Sequence, residues 1–245
     1  MVIGISSDIV DFASHNPAIY DDYQLVIWSA GDNSQPMFMD VFKRTALVNR
    51  ALSEKKVWVE GGDVGYRYAG SLDSNFRKNI LHIADGGYID DGTTSSRVLL
   101  TLPYHSIFTN PNLISSPMVF DSGTGPSNRD RLRLIPNDIG RVKVGGWNLD
   151  TLTMAINTWS SSPHPITAHS VFTSFNFGAV IDSIQAMEVV QNIATFMLNS
   201  DNTSDIVIVN PKDEELLQSN SNYAIRWLRN KVDMVRLEYK LYGET

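Results

Sequence analysis

The chain has 245 residues, with 20 Lys and Arg against 27 Asp and Glu, a net charge of −7 and a pI near 5.2. That acidity argues against a nucleic-acid partner, which needs a basic stripe to meet phosphates, and the absence of cysteine excludes disulfides, thiolate metal sites and a Cys nucleophile. With 42% hydrophobic and 19% charged residues, the composition suits one globular domain, or one domain with part of another, and no apolar run approaches the roughly 20 residues of a membrane-spanning helix.

Residues 1–12 hold only the short apolar runs Val2–Ile5 and Ile9–Val10, without the basic n-region and long apolar core of a signal peptide. Leu25–Trp28, preceded by Asn16-Pro17 and Asp21-Asp22, is a continuous apolar run of the kind found in a strand buried on both faces. A loop follows at Ser29–Asn33. From about Met37 to Leu52 helical periodicity places Phe38, Val41, Phe42, Leu47, Val48 and Leu52 on the apolar side, with Lys43, Arg44 and Arg50 outside. The strand Val57–Val59 completes a strand–helix–strand unit.

That strand runs into Gly61-Gly62-Asp63-Val64-Gly65, the spacing G-x-X-x-G. In hydrolases this spacing describes a sharp strand-to-helix turn that holds its middle side chain above a sheet edge. Glycine suits the flanks because the turn brings backbone segments together and visits dihedrals that a Cβ resists. The middle residue here is Asp63, expected at a tight turn between a central strand and a helix. It is either a carboxylate nucleophile or, more plainly, a cap on the helix that follows. Gly31 and Val64 would offer backbone N–H groups where an oxyanion hole forms.

Asn75–Ile83 reads as a short helix broken by the turn-like Asp85–Gly92, and residues 93–147 as a strand-rich insertion with strands near 98–100, 118–120, 132–134 and 142–144. Ser170–Phe175 reads as a strand. The amphipathic helix from Ser183 to Asn199, capped by Asp182 or Ser183, carries Ile184, Met187, Val190, Ile193, Ala194, Met197 and Leu198 on one stripe. Ser200–Ser204 has linker composition. Beyond it Ile206–Val209, Tyr223–Trp227 and Val235–Tyr239 read as strands, too few for a complete sandwich, so the segment is expected to pack on the first domain or pair with another chain.

Among the histidines, His169 precedes its strand and is expected at the surface, His105 and His164 lie in Pro-flanked loops, and His82 on a short helix; no two have metal-ligand spacing. Asp85, Asp90 and Asp91 around glycines do not have EF-hand spacing and read as a solvated turn. Arg129, Arg131 and Arg133 alternate, which projects them from one face of a strand; with Arg141 they would grip an acidic group or form ordinary surface. No metal site and no cofactor is expected.

Asp22–Asp32, Gly61–Tyr66 and Phe172–Val180 with the helix to Leu198 resemble class I glutamine-amidotransferase-like domains of secreted and surface proteins, and Ile206–Pro211, Tyr223–Trp227 and Val235–Tyr239 resemble the opening of an immunoglobulin-like surface module. The resemblance implies a flavodoxin-like α/β domain over 1–200, with a mostly parallel sheet and helices on both faces, and a partial immunoglobulin-like β segment over 204–245. In active members a Cys stands at the turn and a His after the last core strand; the matching positions here are Asp63 and Asn176, which can neither form a thioester nor relay a proton. The implied function is a non-catalytic module of a larger secreted or surface protein, without glutaminase activity, binding a small molecule, a peptide, another module or another chain around Gly31, Asp32, Gly62 and Val64. The alternatives are a hydrolase using Asp63 and an amidotransferase-like subunit working with a partner enzyme. The 24 residues before Leu25 are one strand and helix short of such a domain, so either the piece is excised or its sheet lacks the usual first strand.

Overall fold

In the computed structural model the described residues are 7–10, 15–31, 40–53, 55–62, 64, 74–89, 95–103, 105–120, 130–135, 141–148, 154–159, 167–199, 205–210 and 226–230. The apolar run around Trp28 forms β1 (Leu25–Ser29), the periodic segment forms α1 (Val41–Leu52), and Lys56–Glu60 is β2. β1 and β2 pair in parallel, Leu25 opposite Lys56 through Ser29 opposite Glu60, with α1 as their crossover. The next segment is α2 (Ser74–Phe76) running into a π-helical turn, Arg77–Leu81. There follow β3 (Ile83–Ile89), β4 (Arg97–Leu100), α3 (Ser106–Thr109), β5 (Met118–Val119), β6 (Arg131–Leu134), β7 (Arg141–Gly146), β8 (Met154–Trp159) and β9 (Thr167–Thr173). A 3-10 turn, Phe177–Ala179, leads to α4 (Ser183–Asn199), and then come β10 (Asp205–Asn210) and β11 (Arg226–Asn230).

Seven strands make one sheet in the order β1-β2-β9-β8-β7-β4-β5. β1, β2 and β9 are parallel; β9-β8, β8-β7, β7-β4 and β4-β5 are antiparallel. The sheet is therefore mixed, a three-stranded parallel part extended by antiparallel strands, and not the mostly parallel sheet expected. β3 pairs with β6, and β10 with β11, in separate two-stranded sheets.

Strand alternation distributes β2 and β9 between two cores. Val57, Val59 and Phe172 pack with Leu47, Val48 and Ala51 of α1 and with Phe76, Ile80 and Leu81. Trp58 and Val171 pack with Ala186, Val189, Ile193 and Met197 of α4 and with Ile107 and Phe108 of α3. Helices cover both faces, and every β2 residue is buried. Each side chain of this size buried to near completion contributes about 1.5–3 kcal/mol of transfer free energy.

One buried polar residue locks the α4 side. Asn192, fully buried, donates from Nδ2 to the carbonyls of Ile107 (3.0 Å) and Asn112 (2.8 Å), and its Oδ1 accepts from the Asn112 N–H (2.9 Å) and Nδ2 (3.1 Å). Both donors and both acceptor sites of the amide are used.

α1 is turned relative to its apolar pattern. Lys43, Arg44 and Arg50, expected outside, are buried, while Phe42 is 82% exposed and Val41 59%. The reason is chemical: a long aliphatic stem can cover apolar surface when its head finds acceptors. The Arg50 guanidinium donates to the carbonyls of Lys56 (3.0 Å), Tyr23 (2.5 Å) and Tyr20. α4 shows the same effect less strongly, with Ile184 and Met187 of the expected stripe exposed and Ala186 and Val189 buried. Its cap is Asp182, whose carboxylate accepts from the N–H groups of Ile184 and Gln185.

Two elements escaped the pattern. α3 is a single turn, capped by His105 in place of the usual Ser, Asp or Asn, and β8 lies between stretches of mixed polarity. Asp85–Ile89, read as a break, belongs to β3, whose irregular register against β6 accommodates Gly86 at φ 62°. Residues 7–10 form no regular element, and among the described residues β1 is an edge of the sheet. Of the second C-terminal strand, expected over Tyr223–Trp227, residues 223–225 lie outside the described residues and Arg226–Asn230 is strand; the third, Val235–Tyr239, lies outside the described residues.

Candidate functional site

In an open α/β sheet, ligands are received beyond the carboxyl ends of the parallel strands. Those of β1, β2 and β9 converge through backbone contacts. Ala30 N–H donates to the Glu60 carbonyl (2.9 Å), Gly61 N–H to the Thr173 carbonyl (3.0 Å), and Gly62 N–H to the Gly31 carbonyl (3.3 Å). Gly61 must be glycine: its φ is 142°, and a Cβ there would stand 2.5 Å from the Ala30 Cβ. Gly31, at φ 62°, faces Asn176, whose Nδ2 is 3.9 Å from where a Cβ would be.

Of the residues expected at the site, Gly31, Gly62, Val64 and Asn176 are described. The first two meet in the hydrogen bond above. Val64 is buried in the α1-side core. Asn176 is half-buried, and its Oδ1 accepts from the Gly178 N–H (2.8 Å), so this side chain caps the 3-10 turn that leads to α4. Asp32 and Asp63 lie outside the described residues.

The residue not anticipated is Glu60. It ends β2 directly before the glycines and is only 9% exposed. Burial raises its carboxyl above the ordinary 4.5, opposed by a hydrogen bond from the Ser29 hydroxyl to Oε1 (2.7 Å). Ser29 is its register partner on β1 and is itself exposed. Two residues earlier in β2, Trp58 donates through Nε1 to Thr173 Oγ1 (3.2 Å) and stacks edge-on against Phe177, centroids 5.8 Å apart. A carboxylate closing an otherwise apolar strand was the signal available in the sequence. Its perturbed titration in this position marks a candidate site.

Three described histidines lie elsewhere, and the fourth, His15, is held by Tyr20 Oη (2.7 Å) in a groove that Ser29 also lines. His169, expected at the surface, is 2% exposed within β9. His82 is fully buried in a left-handed conformation that closes the π-helical turn, with Nε2 3.1 Å from Ser170 Oγ in the middle of β9. His105 caps α3 through Nδ1 (3.2 Å to the Ile107 N–H), and burial pushes its imidazole down to about 4. His164 lies outside the described residues, as do Asp90, Asp91 and Arg129. Asp85 pairs with Arg77. Arg131 and Arg133 do project outward from β6 with Leu132 inward. Among the described residues no three His, Asp or Glu side chains gather as metal ligands, and no helix is long and apolar enough to cross a membrane.

No family model matches the chain, and no curated protein matches it. A solved structure, the mmIFT52 N-terminal domain, is similar over 77% of this chain and 83% of that one, at 8% identity and a TM-score of 0.46. The resemblance to glutamine-amidotransferase-like domains, with the immunoglobulin-like module that came with it, is therefore withdrawn. The matching stretches were Val, Ile and Trp in buried strands and glycines in the turn after one of them. Any parallel strand entering a tight turn needs these residue types, so they report architecture and not ancestry. What the chain is, on this footing, is a mixed α/β protein with a three-stranded parallel core.

Proposed function

We propose that the chain is a binding module without catalytic activity, receiving a small polar ligand or a partner's segment at the carboxyl ends of β1, β2 and β9. The observation that carries this reading is the Ser29–Glu60 pair beside the backbone of Gly31 and Gly62. An exposed hydroxyl, a buried carboxyl group and close-approach glycines give donors and acceptors to a ligand. Proton relay needs a second titratable group in reach; His82, His105 and His169 are placed at other points of the fold, and His15, near Ser29, is held by Tyr20 Oη (2.7 Å). A flavodoxin-like classification of the parallel part, with helices on both faces, is the finer form of the same proposal. So is a division into a unit over 1–200 and a second over 204–245, supported by β10 and β11 pairing with each other apart from the main sheet.

The test is a fragment screen followed by NMR. Binders are expected to shift the amides of Ser29, Glu60 and Gly62 and to lose about tenfold in affinity in Glu60→Gln, one charge-assisted hydrogen bond's worth. Ester or amide hydrolysis that disappears in Asp63→Ala would overturn the reading in favour of an enzyme.

A further inference from the structure

The outer edge of β1 has the construction of a strand-addition site. Ala30 N–H points at β2. By the two-residue alternation of a strand, the N–H and C=O groups of Leu25, Ile27 and Ser29 point the other way, out of the sheet. Among the described residues no strand pairs with them. Such an edge is a template for another extended chain unless it is covered or blunted, and β1 carries neither proline, lysine nor a recorded bulge.

A groove of about 160 Å³ runs along this edge, from Asp8, Val10, His15 and Tyr20 on one wall to Ile27 and Ser29 on the other. Its wall is held in place: Tyr20 Oη accepts from Trp28 Nε1 (3.0 Å) and meets His15 Nε2 (2.7 Å), and the Tyr23 hydroxyl donates to Asp8 Oδ2 (2.7 Å). The apolar contribution is Ile27, 48% exposed, and Val10, 45% exposed. The charge at the rim is negative, from the exposed Asp8, in a chain of net −7. We propose that the β1 edge binds an extended peptide of a partner protein, one that alternates apolar residues with Lys or Arg. Main-chain hydrogen bonds to Ile27 and Ser29 would supply affinity, an apolar side chain would lie on Ile27 and Val10, and a basic one would meet Asp8. This surface is distinct from the Glu60 site, although Ser29 ends one and borders the other.

The test is selection from a random peptide display library against the full chain. Enriched peptides are expected to alternate apolar and basic residues, and to bind less tightly as salt rises. Ile27→Pro removes an outward N–H without touching the β2 ladder and should weaken them by about tenfold or more, the loss of one or two main-chain bonds. Asp8→Asn should weaken them severalfold and remove most of the salt dependence. Should Ile27→Pro fail to give the native circular dichroism, Ile27→Lys at the same half-exposed position decides, through repulsion of the basic peptide. The proposal is overturned if nothing is enriched, or if enriched peptides bind these variants as well as the native chain. It is equally overturned if the Ile27 and Ser29 amides are already protected from exchange in the free monomer, or if the chain dimerises through β1, since its own segment or a second copy would then be the occupant.

Discussion

The corner between α3 and α4 and the carboxyl ends of the parallel strands each contain a buried titratable group, and they are built on opposite terms. At the corner, Asn192 uses all four of its hydrogen-bonding positions, and His105 is buried with Phe196 against its ring, centroids 5.1 Å apart. At the strand ends, Glu60 is buried beside an exposed serine and glycine backbone, with one side-chain hydrogen bond to Oε1. A polar network that is complete fixes a structure; one that is incomplete leaves capacity for something else. The Ser170–His82 contact carries the same lesson. A serine hydroxyl 3.1 Å from a histidine invites a catalytic reading, yet Ser170 also donates to the Asn79 carbonyl (3.1 Å) and both residues are buried, so the pair is part of the packing.

The comparison breaks most visibly at Asn192. Asn192→Ala strands the Asn112 N–H and two carbonyls, and should cost about 2–4 kcal/mol by urea denaturation while leaving any ligand affinity at the strand ends unchanged. Next comes pH. His105 is held neutral at about 4 against an ordinary 6.5. Its folded form resists the proton that the unfolded form accepts, so its stability is present above 6.5 and is lost as pH falls toward 4, by roughly 3 kcal/mol. His105→Asn, which can still cap α3, should flatten that part of the stability–pH curve.

At the strand ends the effects are smaller and shift toward function. Gly61→Ala combines a φ of 142° with the 2.5 Å approach to Ala30, and should cost about 1–3 kcal/mol. Gly86→Ala, left-handed but with nothing within 4 Å, should cost less, about 1 kcal/mol. An equal loss at both glycines would mean that the convergence around Gly61 is not under steric control. Glu60 has the opposite pH sign to His105. Its raised carboxyl contributes stability that is full below the ordinary 4.5 and is lost as pH rises through the folded value. Glu60→Gln should therefore raise Tm slightly at neutral pH and leave it unchanged in acid. A lower Tm at neutral pH would show that the carboxylate is doing structural work in its charged form.

Much of the architecture was legible because period and length are strong signals. β1, α1, β2 and α4 follow from runs and stripes, and β4 through β7 from short apolar triplets set off by Pro and Gly. What was missed depends on distant partners. The Asp85–Ile89 stretch looks like a turn until β6 lies beside it, and no local pattern says that Arg50 will be buried, because two of the three carbonyls that receive it come from the 3-10 turn about 30 residues earlier and its cap. The site was half legible. The glycines and Asn176 were singled out from a resemblance that fell away, and what the structure adds is only their place, after the last residues of β1, β2 and β9. Glu60 was passed over as the end of a strand, since its burial becomes evident only once β1 and β9 lie on either side of it, with Ser29 and Thr173 as its register partners.

Arg50 has a consequence for how the molecule opens. Its side chain ties the carbonyls of Tyr20 and Tyr23, in and just after the 3-10 turn Pro17–Asp22, to α1 and to the first residue of β2. The wall of the β1 groove is thus fastened to the βα unit behind it and not merely laid against it. Local unfolding of that wall would leave a desolvated guanidinium without its acceptors, so the turn, α1 and β2 should exchange their amides as a single cooperative block. A lysine there would hold its three donors on one compact nitrogen, without the planar fork that spans carbonyls set apart, and would let the wall fray by itself.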